Sequence, residues 1–334
     1  MITSCRRYRS SVIFWVSRLN LLLLFAMPWL THAEESALQL LEKMASAEQY
    51  LDYEGTFIYV SGTSVKTMQV VHGFDQHGER ERLTSLTGST REIVKDDQHF
   101  FYVMPEKKVV LVETREGLDQ HTVFVRESIH GNPFYHYDLG KTERVANYLC
   151  RNVSILPTDT FRYGHRVCIE NKTGLLLKSQ TLDGSGKPVE EMIFTHLKLP
   201  ESIPTEHFQT TMHRDDYALL ESEASTALPV SDEDEGWGLT EAPPGFSVKL
   251  NTIRHIASSA LPVRHIVLDD GVVSISIFIA RLTKEGSYSE GVMSSGALNV
   301  ASRVVDNFVV TVMGGVPGKT VKQVAGALVH HTRA

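Results

Sequence analysis

The residues whose spacing comes nearest to a known chemistry lie close to the C-terminal end, at Gly314-Gly315-Val316-Pro317-Gly318-Lys319-Thr320. Glycines and a Lys-Thr pair between an apolar strand and a helical pattern are the setting of a phosphate-cradling loop. The spacing excludes that chemistry. A GxxxxGKT loop needs glycine at 313, where Met313 stands, and Pro317 lacks the N–H that would donate to phosphate. The stretch reads as a turn and a helix start. Fifteen histidines invite metal chemistry, but no HExxH, CxxC or GxSxG occurs. His130 and His136 read as loop residues without a third ligand, and His330-His331 as a tail pair. Glu190-Glu191 falls on a strand end, with no sign of the buried dyad that acid–base work uses. The chain therefore reads as a non-enzyme with no catalytic residues, no metal site and no cofactor.

Cysteine is the remaining reactive type. Cys150 and Cys168 flank a turn at Pro157-Thr158-Asp159-Thr160 at equal distances. In a symmetric hairpin they face each other, and facing strand positions bring Cβ atoms within about 4.5–5.5 Å. This predicts a Cys150–Cys168 disulfide, with two buried free thiols as the alternative. The compartment favours the bond. Arg6, Arg7, Arg9 and Arg18 precede the apolar run Leu21–Leu30, and Thr31-His32-Ala33 supplies a small-x-small cleavage site, which is the pattern of an export signal. The apolar run of about ten residues is short of the roughly 20 that span a bilayer. We expect residues 1–33 to be a cleaved signal peptide, which puts the protein in the periplasm, where disulfides persist. Cleavage removes four arginines and no acid, leaving 29 basic against 40 acidic residues, net −11. That balance excludes a nucleic-acid partner, which calls for a basic face.

The elements that position these residues follow from periodicity. Leu38, Leu41, Met44 and Ala45 have helical spacing behind Ser36 as N-cap. From Tyr53 the period changes to two. Short β-branched and aromatic runs recur at about ten-residue spacing up to Leu197, separated by Gly, Pro and Asp turns. They predict an antiparallel sheet or open barrel of roughly eight to ten strands, with 117–147 as helical turns and a loop capping its concave face. Between Asp215 and Glu241 there are nine acids and no Lys or Arg, the composition of a solvated linker or an acidic docking strip. Beyond it, Pro243-Pro244-Gly245-Phe246, an Asp269-Asp270-Gly271 hairpin turn and a helical pattern over 319–329 describe a smaller α+β unit. The expected division is 1–33 signal, 34–200 sheet domain, 201–235 acidic linker and 236–334 smaller domain. A half-closed sheet under a helix leaves unfilled volume. Phe57, Tyr59, Phe101, Val103, Val110, Val112, Leu175 and Leu177 are the alternating strand residues that would line such a cavity.

Three runs carry a family resemblance: Tyr53-Glu54-Gly55-Thr56-Phe57-Ile58-Tyr59, Phe161-Arg162-Tyr163-Gly164-His165-Arg166 through Asn171–Ser179, and Pro243-Pro244-Gly245-Phe246. They resemble the RseB/MucB family, periplasmic negative regulators of the envelope-stress (sigma-E/AlgU) sigma factor, and the likeness spans the whole mature chain. The resemblance implies an α+β fold: a large antiparallel half-open β-barrel of the LolA/LppX kind with covering helices, plus a smaller α+β domain. It implies that the first domain senses lipid, lipoprotein or lipopolysaccharide. The second would help bind the periplasmic part of an RseA/MucA-type anti-sigma factor and shield it from proteolysis. The disulfide is not part of the resemblance, because the family often has an aromatic residue where Cys168 stands. A periplasmic lipid or lipoprotein carrier with the same half-barrel is the competing reading, and a homo-oligomer stays open.

Overall fold

The structure is a computed structural model and describes residues 36–76, 78–96, 98–114, 132–210, 217–221, 236–254, 261–282 and 289–331. The expected export signal and His130 lie outside them. Helix α1 (Ala37–Tyr50) starts on a capping box. The Ser36 hydroxyl accepts from Gln39 N at 3.2 Å while the Gln39 side chain accepts from Ser36 N at 2.8 Å, so two otherwise orphaned donors are satisfied. Its apolar stripe, Ala37, Leu40, Leu41, Met44 and Ala47, is buried.

Twelve strands then build one sheet: β1 (Tyr53–Ser61), β2 (Ser64–Asp75), β3 (Gly78–Ser85), β4 (Glu92–Lys95), β5 (His99–Met104), β6 (Val109–Thr114), β7 (Tyr135–Val145), β8 (Tyr148–Pro157), β9 (Gly164–Glu170), β10 (Leu176–Leu182), β11 (Pro188–Lys198) and β12 (Ala218–Glu221). Their order is β12-β6-β5-β4-β3-β2-β1-β11-β10-β9-β8-β7. Two antiparallel meanders are therefore joined where β1 pairs with β11. Helix α1 lies across one face. Leu40, Leu41 and Met44 pack on Tyr135, Val153, Ile155, Val167 and Ile169, each buried aliphatic side chain contributing about 1.5–3 kcal/mol. A second cluster joins Tyr53, Val70, Cys150, Cys168, Leu175, Leu177, Phe194 and Leu197.

The remaining chain forms β13 (Trp237–Leu239), β14 (Ser247–Arg254), β15 (Val263–Asp269), β16 (Ser274–Arg281), β17 (Gly291–Ser295), β18 (Leu298–Val305), β19 (Phe308–Gly314), helix α2 (Gly318–Ala327) and β20 (Leu328–His330). Six of these strands make an antiparallel sheet ordered β14-β15-β16-β19-β18-β17, and β13 pairs with β20. Val321, Val324 and Ala325 of α2 pack on Ile275, Ile277, Val310 and Val312. The glycine-rich stretch at 314–320 is the β19–α2 turn, with Pro317 at the N-cap.

Several sequence expectations are corrected. Tyr135–Val145, read as helical turns and loop, is strand β7, and His136 lies exposed on it; Tyr135 and Val145, buried at its two ends, hold it to the sheet. Among the described residues the helices lying on the large sheet are α1 and a single 3-10 turn at Thr205–Phe208, whose Phe208 is buried against Val71. The span 201–235 is not wholly a free linker. Ile203 and Phe208 are buried against Val71, and Ala218–Glu221 adds a parallel strand to β6. Cys150 and Cys168 do not face each other. The β8–β9 loop spans Thr158–Tyr163, so Cys150 is opposite Glu170 and Cys168 opposite Asn152. The two cysteines are diagonal neighbours with Cα atoms 5.3 Å apart, and they are disulfide-bonded.

Candidate functional site

Register decides which of the eight cavity candidates belong together. Opposite residues in an antiparallel pair share a face, and alternate residues change face. From Tyr59 the opposite positions run through Met192, Ser179 and Val167 to Val153, so Phe57 and Tyr59 are on the α1 side. Phe57 contacts Phe194 with ring centroids 5.6 Å apart, and Leu175 and Leu177 are buried in the same cluster. In the other direction Phe57 leads through Met68, and its neighbour Val70 through Leu83 and Ile93, to Tyr102 and Leu111. Phe101, Val103, Val110 and Val112 are therefore on the opposite face. Alternation within each run was legible, but strand count and register between the runs were not. On this second face, Phe101 and Val94 join Arg80, Thr205, Phe208 and Thr210 around a groove of about 510 Å³. The Arg80 guanidinium lies 4.5 Å from the Phe208 ring centre.

The α1 side also holds a buried charge cluster that sequence reasoning missed. His72, Glu79 and Lys95 are each at most 8% exposed. Lys95 Nζ donates to Glu79 Oε1 at 2.6 Å. Burial alone would raise the Glu79 pKa, but its bonds to His72 and Lys95 and their charges bring it down to about 2. His72, Glu79 and Glu81 place ligand-type atoms within 4.8 Å of one another, and the Lys95 ammonium is bonded to the Glu79 carboxylate of that group. The signal for this cluster was a histidine at 72 inside the apolar run Val70–Phe74.

The third feature is a joint between the two sheets, centred on Arg162, whose side chain is fully buried. Its Nε donates to Asp270 Oδ2 at 2.6 Å and Nη2 to the Pro244 carbonyl at 2.6 Å, while Nη1 bonds Asp159. The guanidinium carbon lies 4.7 Å from the Phe134 ring centre and 4.8 Å from that of Phe246. Asp270 is saturated: Tyr135 OH donates to Oδ2 at 2.8 Å, and Val272 N and Val273 N donate to Oδ1 at 2.8 Å. Burial first, then the Asp270 charge and bond, pushes the Tyr135 phenol far above its ordinary range. Val272, at the tip of the β15–β16 turn, enters the cluster beneath α1. Gly245 has φ +82°, and a Cβ there would overlap the Phe134 ring, so the backbone demands glycine. Beside this hub, Asn299 Nδ2 donates to Tyr163 OH at 3.0 Å and Thr320 Oγ1 to the Phe161 carbonyl at 2.8 Å. A second contact joins Glu190 Oε1 to Ala297 N and Ser61 Oγ, both at 3.0 Å. The runs Phe161–Gly164 and Pro243–Phe246, far apart in sequence, thus meet in one place.

Comparison with known proteins covers both halves. The family model of the MucB/RseB N-terminal domain matches residues 36–212, and that of the MucB/RseB C-terminal domain matches 231–329. Sigma-E factor regulatory protein RseB of Escherichia coli K12 is 25% identical over 294 residues, covering 86% of this chain and 88% of that protein. Sigma factor AlgU regulatory protein MucB of Pseudomonas aeruginosa is 27% identical over 294 residues, covering 85% and 88%. The crystal structure of MucB in complex with MucA(peri) superposes with a TM-score of 0.67 at 24% identity, covering 89% of this chain and 100% of that one.

Proposed function

Since the chain belongs to the MucB/RseB family, we propose that it is a periplasmic regulator of an envelope-stress sigma factor. It binds the periplasmic part of a transmembrane anti-sigma factor, shields it from regulated proteolysis, and releases it on sensing lipid, lipopolysaccharide or a mislocalised lipoprotein. The observation that carries this reading is the joint at Arg162. It is assembled from one run of each half, the same runs that mark the family, so the two sheets are built to act on each other. A carrier of lipid alone has no use for a second sheet locked to the first. The large sheet is read as a half-open barrel of the LolA type, with Phe57, Tyr59, Leu175 and Leu177 on the side that meets an apolar ligand. Ligand and anti-sigma factor are then linked: a ligand that prefers the partner-free state weakens partner binding by the same factor by which the partner weakens ligand binding.

Pulldown of an anti-sigma periplasmic domain by the mature protein, with and without lipid, tests this. Binding without lipid and loss with it is the expected result. Absence of binding in both conditions sinks the regulator reading, and lipid binding alone then favours the carrier. Truncation before Gly236 is expected to weaken capture; unchanged capture removes the second sheet from the assignment.

A further inference from the structure

Strands β1 to β6 pair in sequence order, and β6 ends that run. Its outer edge would be a row of open N–H and C=O groups, the template on which a further strand assembles. The place is taken by β12, four residues from the segment between the two sheets. Among the described residues β12 alone runs parallel to its neighbour in the large sheet, where every other pair is antiparallel. Parallel ladders are slightly weaker per residue. β12 pairs with Val109–Val112 only, two residues short of the end of β6. Leu219 and Leu220 stay 59% and 51% exposed, so each gains less than half of what burial gives a core leucine. Backbone bonds therefore hold β12 in place, and any extended strand offers those.

The edge is nevertheless selective. Val110 is buried in β6, and Val109, Leu111 and Val112 are half-buried. Leu219 is opposite Val110 on one face and Leu220 opposite Leu111 on the other, so the edge offers apolar contact to two consecutive side chains. At its start stand Glu106, Lys107 and Lys108, all exposed, with a net charge of one positive. Ala218 N donates to the Lys108 carbonyl at 2.8 Å, which sets the register. In that register an acid two positions before the first paired residue comes level with Lys107. In the chain's own sequence that position is Asp216, preceded by Asp215.

We propose that the β6 edge is a docking site for an extended peptide segment of a partner protein, acidic and then apolar, which adds to the large sheet in the parallel register that β12 holds. Main-chain bonds supply the affinity, and the two apolar positions and the preceding acids supply the choice. β12 is the placeholder: it keeps the edge from indiscriminate pairing, and the partner displaces it. Its occupancy lowers the apparent affinity of every competitor by the same factor, so the edge answers only to segments that pair better than its own. The site is separate from the sheet face under α1 and from the joint at Arg162, and it does not depend on what either of them does.

Fluorescence anisotropy of the mature chain with a labelled peptide of the sequence 215–222 tests this. Leu219→Ser with Leu220→Ser weakens β12 at two exposed positions and leaves β6 intact; it is expected to bind the peptide at least about tenfold tighter than the parent. Leu111→Cys with Leu220→Cys, cross-linked at opposite positions, is expected to abolish binding. Saturating peptide is expected to strip hydrogen-exchange protection from 218–221 of the parent while 109–112 keep theirs. Lysine in place of both aspartates of the peptide is expected to weaken binding about threefold at low salt. Absence of binding to the serine variant, equal binding to the parent and the cross-linked form, or binding that leaves 218–221 protected overturns the proposal. Equal binding of the lysine peptide overturns the acidic class of partner. A parent that sediments as a dimer beside a monomeric cross-linked form makes a second copy the occupant, which likewise overturns it. Should the cross-link not form, exchange at 218–221 decides alone.

Discussion

Replacing Arg162 by leucine tests whether the joint couples the two halves. The substitution keeps apolar bulk between Phe134 and Phe246 but leaves the Asp270 carboxylate, fully buried, without its cation. Three donors to Asp270 survive, from Tyr135, Val272 and Val273, so the carboxylate keeps its hydrogen bonds and loses its charge balance. Removing one member of a buried pair costs about 3–5 kcal/mol. Much of that cost is the stranded charge, so Arg162→Leu with Asp270→Asn is expected to recover at least about 1 kcal/mol relative to additivity. Trp237 is the sole tryptophan beyond residue 29 and packs on Phe308 and His330 in the second half. Its fluorescence in urea reports that half, while exchange or proteolysis at β8–β9 reports the first. In the parent protein the two transitions are expected to coincide; in Arg162→Leu the Trp237 transition separates and moves to lower urea. A loss under about 1 kcal/mol with coincident transitions refutes the coupling role.

Further outcomes follow from single features. Gly245→Ala places a side chain at φ +82° against Phe134 and is expected to cost at least about 1–2 kcal/mol by thermal or urea unfolding. Cys150→Ser, opening a disulfide of sequence separation 18, is expected to cost about 3 kcal/mol in the non-reducing unfolding curve, and reductant should then have no further effect. Glu79, held down at about 2, contributes stability that is present above its ordinary pKa of 4.5 and is lost as pH falls toward 2. Acid titration of the parent should lose up to about 3 kcal/mol more over that window than Glu79→Gln.

What was legible in the chain was local. The Ser36 cap, the alternating runs, the Asp269-Asp270-Gly271 turn and the α2 start all follow from residues a few positions apart. Pairing between distant runs was not. Nothing near Phe101 tells which face of the sheet it shares with Phe57, because that depends on the count of strands between them. The two-residue shift of the β8–β9 hairpin came from Asp159, Phe161 and Arg162, which turn the loop through their own bonds. Asp270 looked like a turn residue and is one, through Val272 N and Val273 N; its second role as the buried counter-charge of Arg162 needs a partner 108 positions away. Tyr135–Val145 misled because aromatic residues and Gly131-Asn132-Pro133 suggest loop, whereas pairing with β8 makes it a strand.

The β8–β9 hairpin has a mechanical consequence. Its tip, Asp159 to Tyr163, is the part that reaches into the second half, and Cys150 and Cys168 clamp its base roughly 25 Å back along the strand. The hairpin is thus a lever with its pivot pinned by the disulfide. A chain that has not met an oxidant carries a slack lever, and force applied at Arg162 is spent in shearing β8 against β9. Oxidation stiffens the arm, so that the two halves pull on each other through a hairpin clamped at its base.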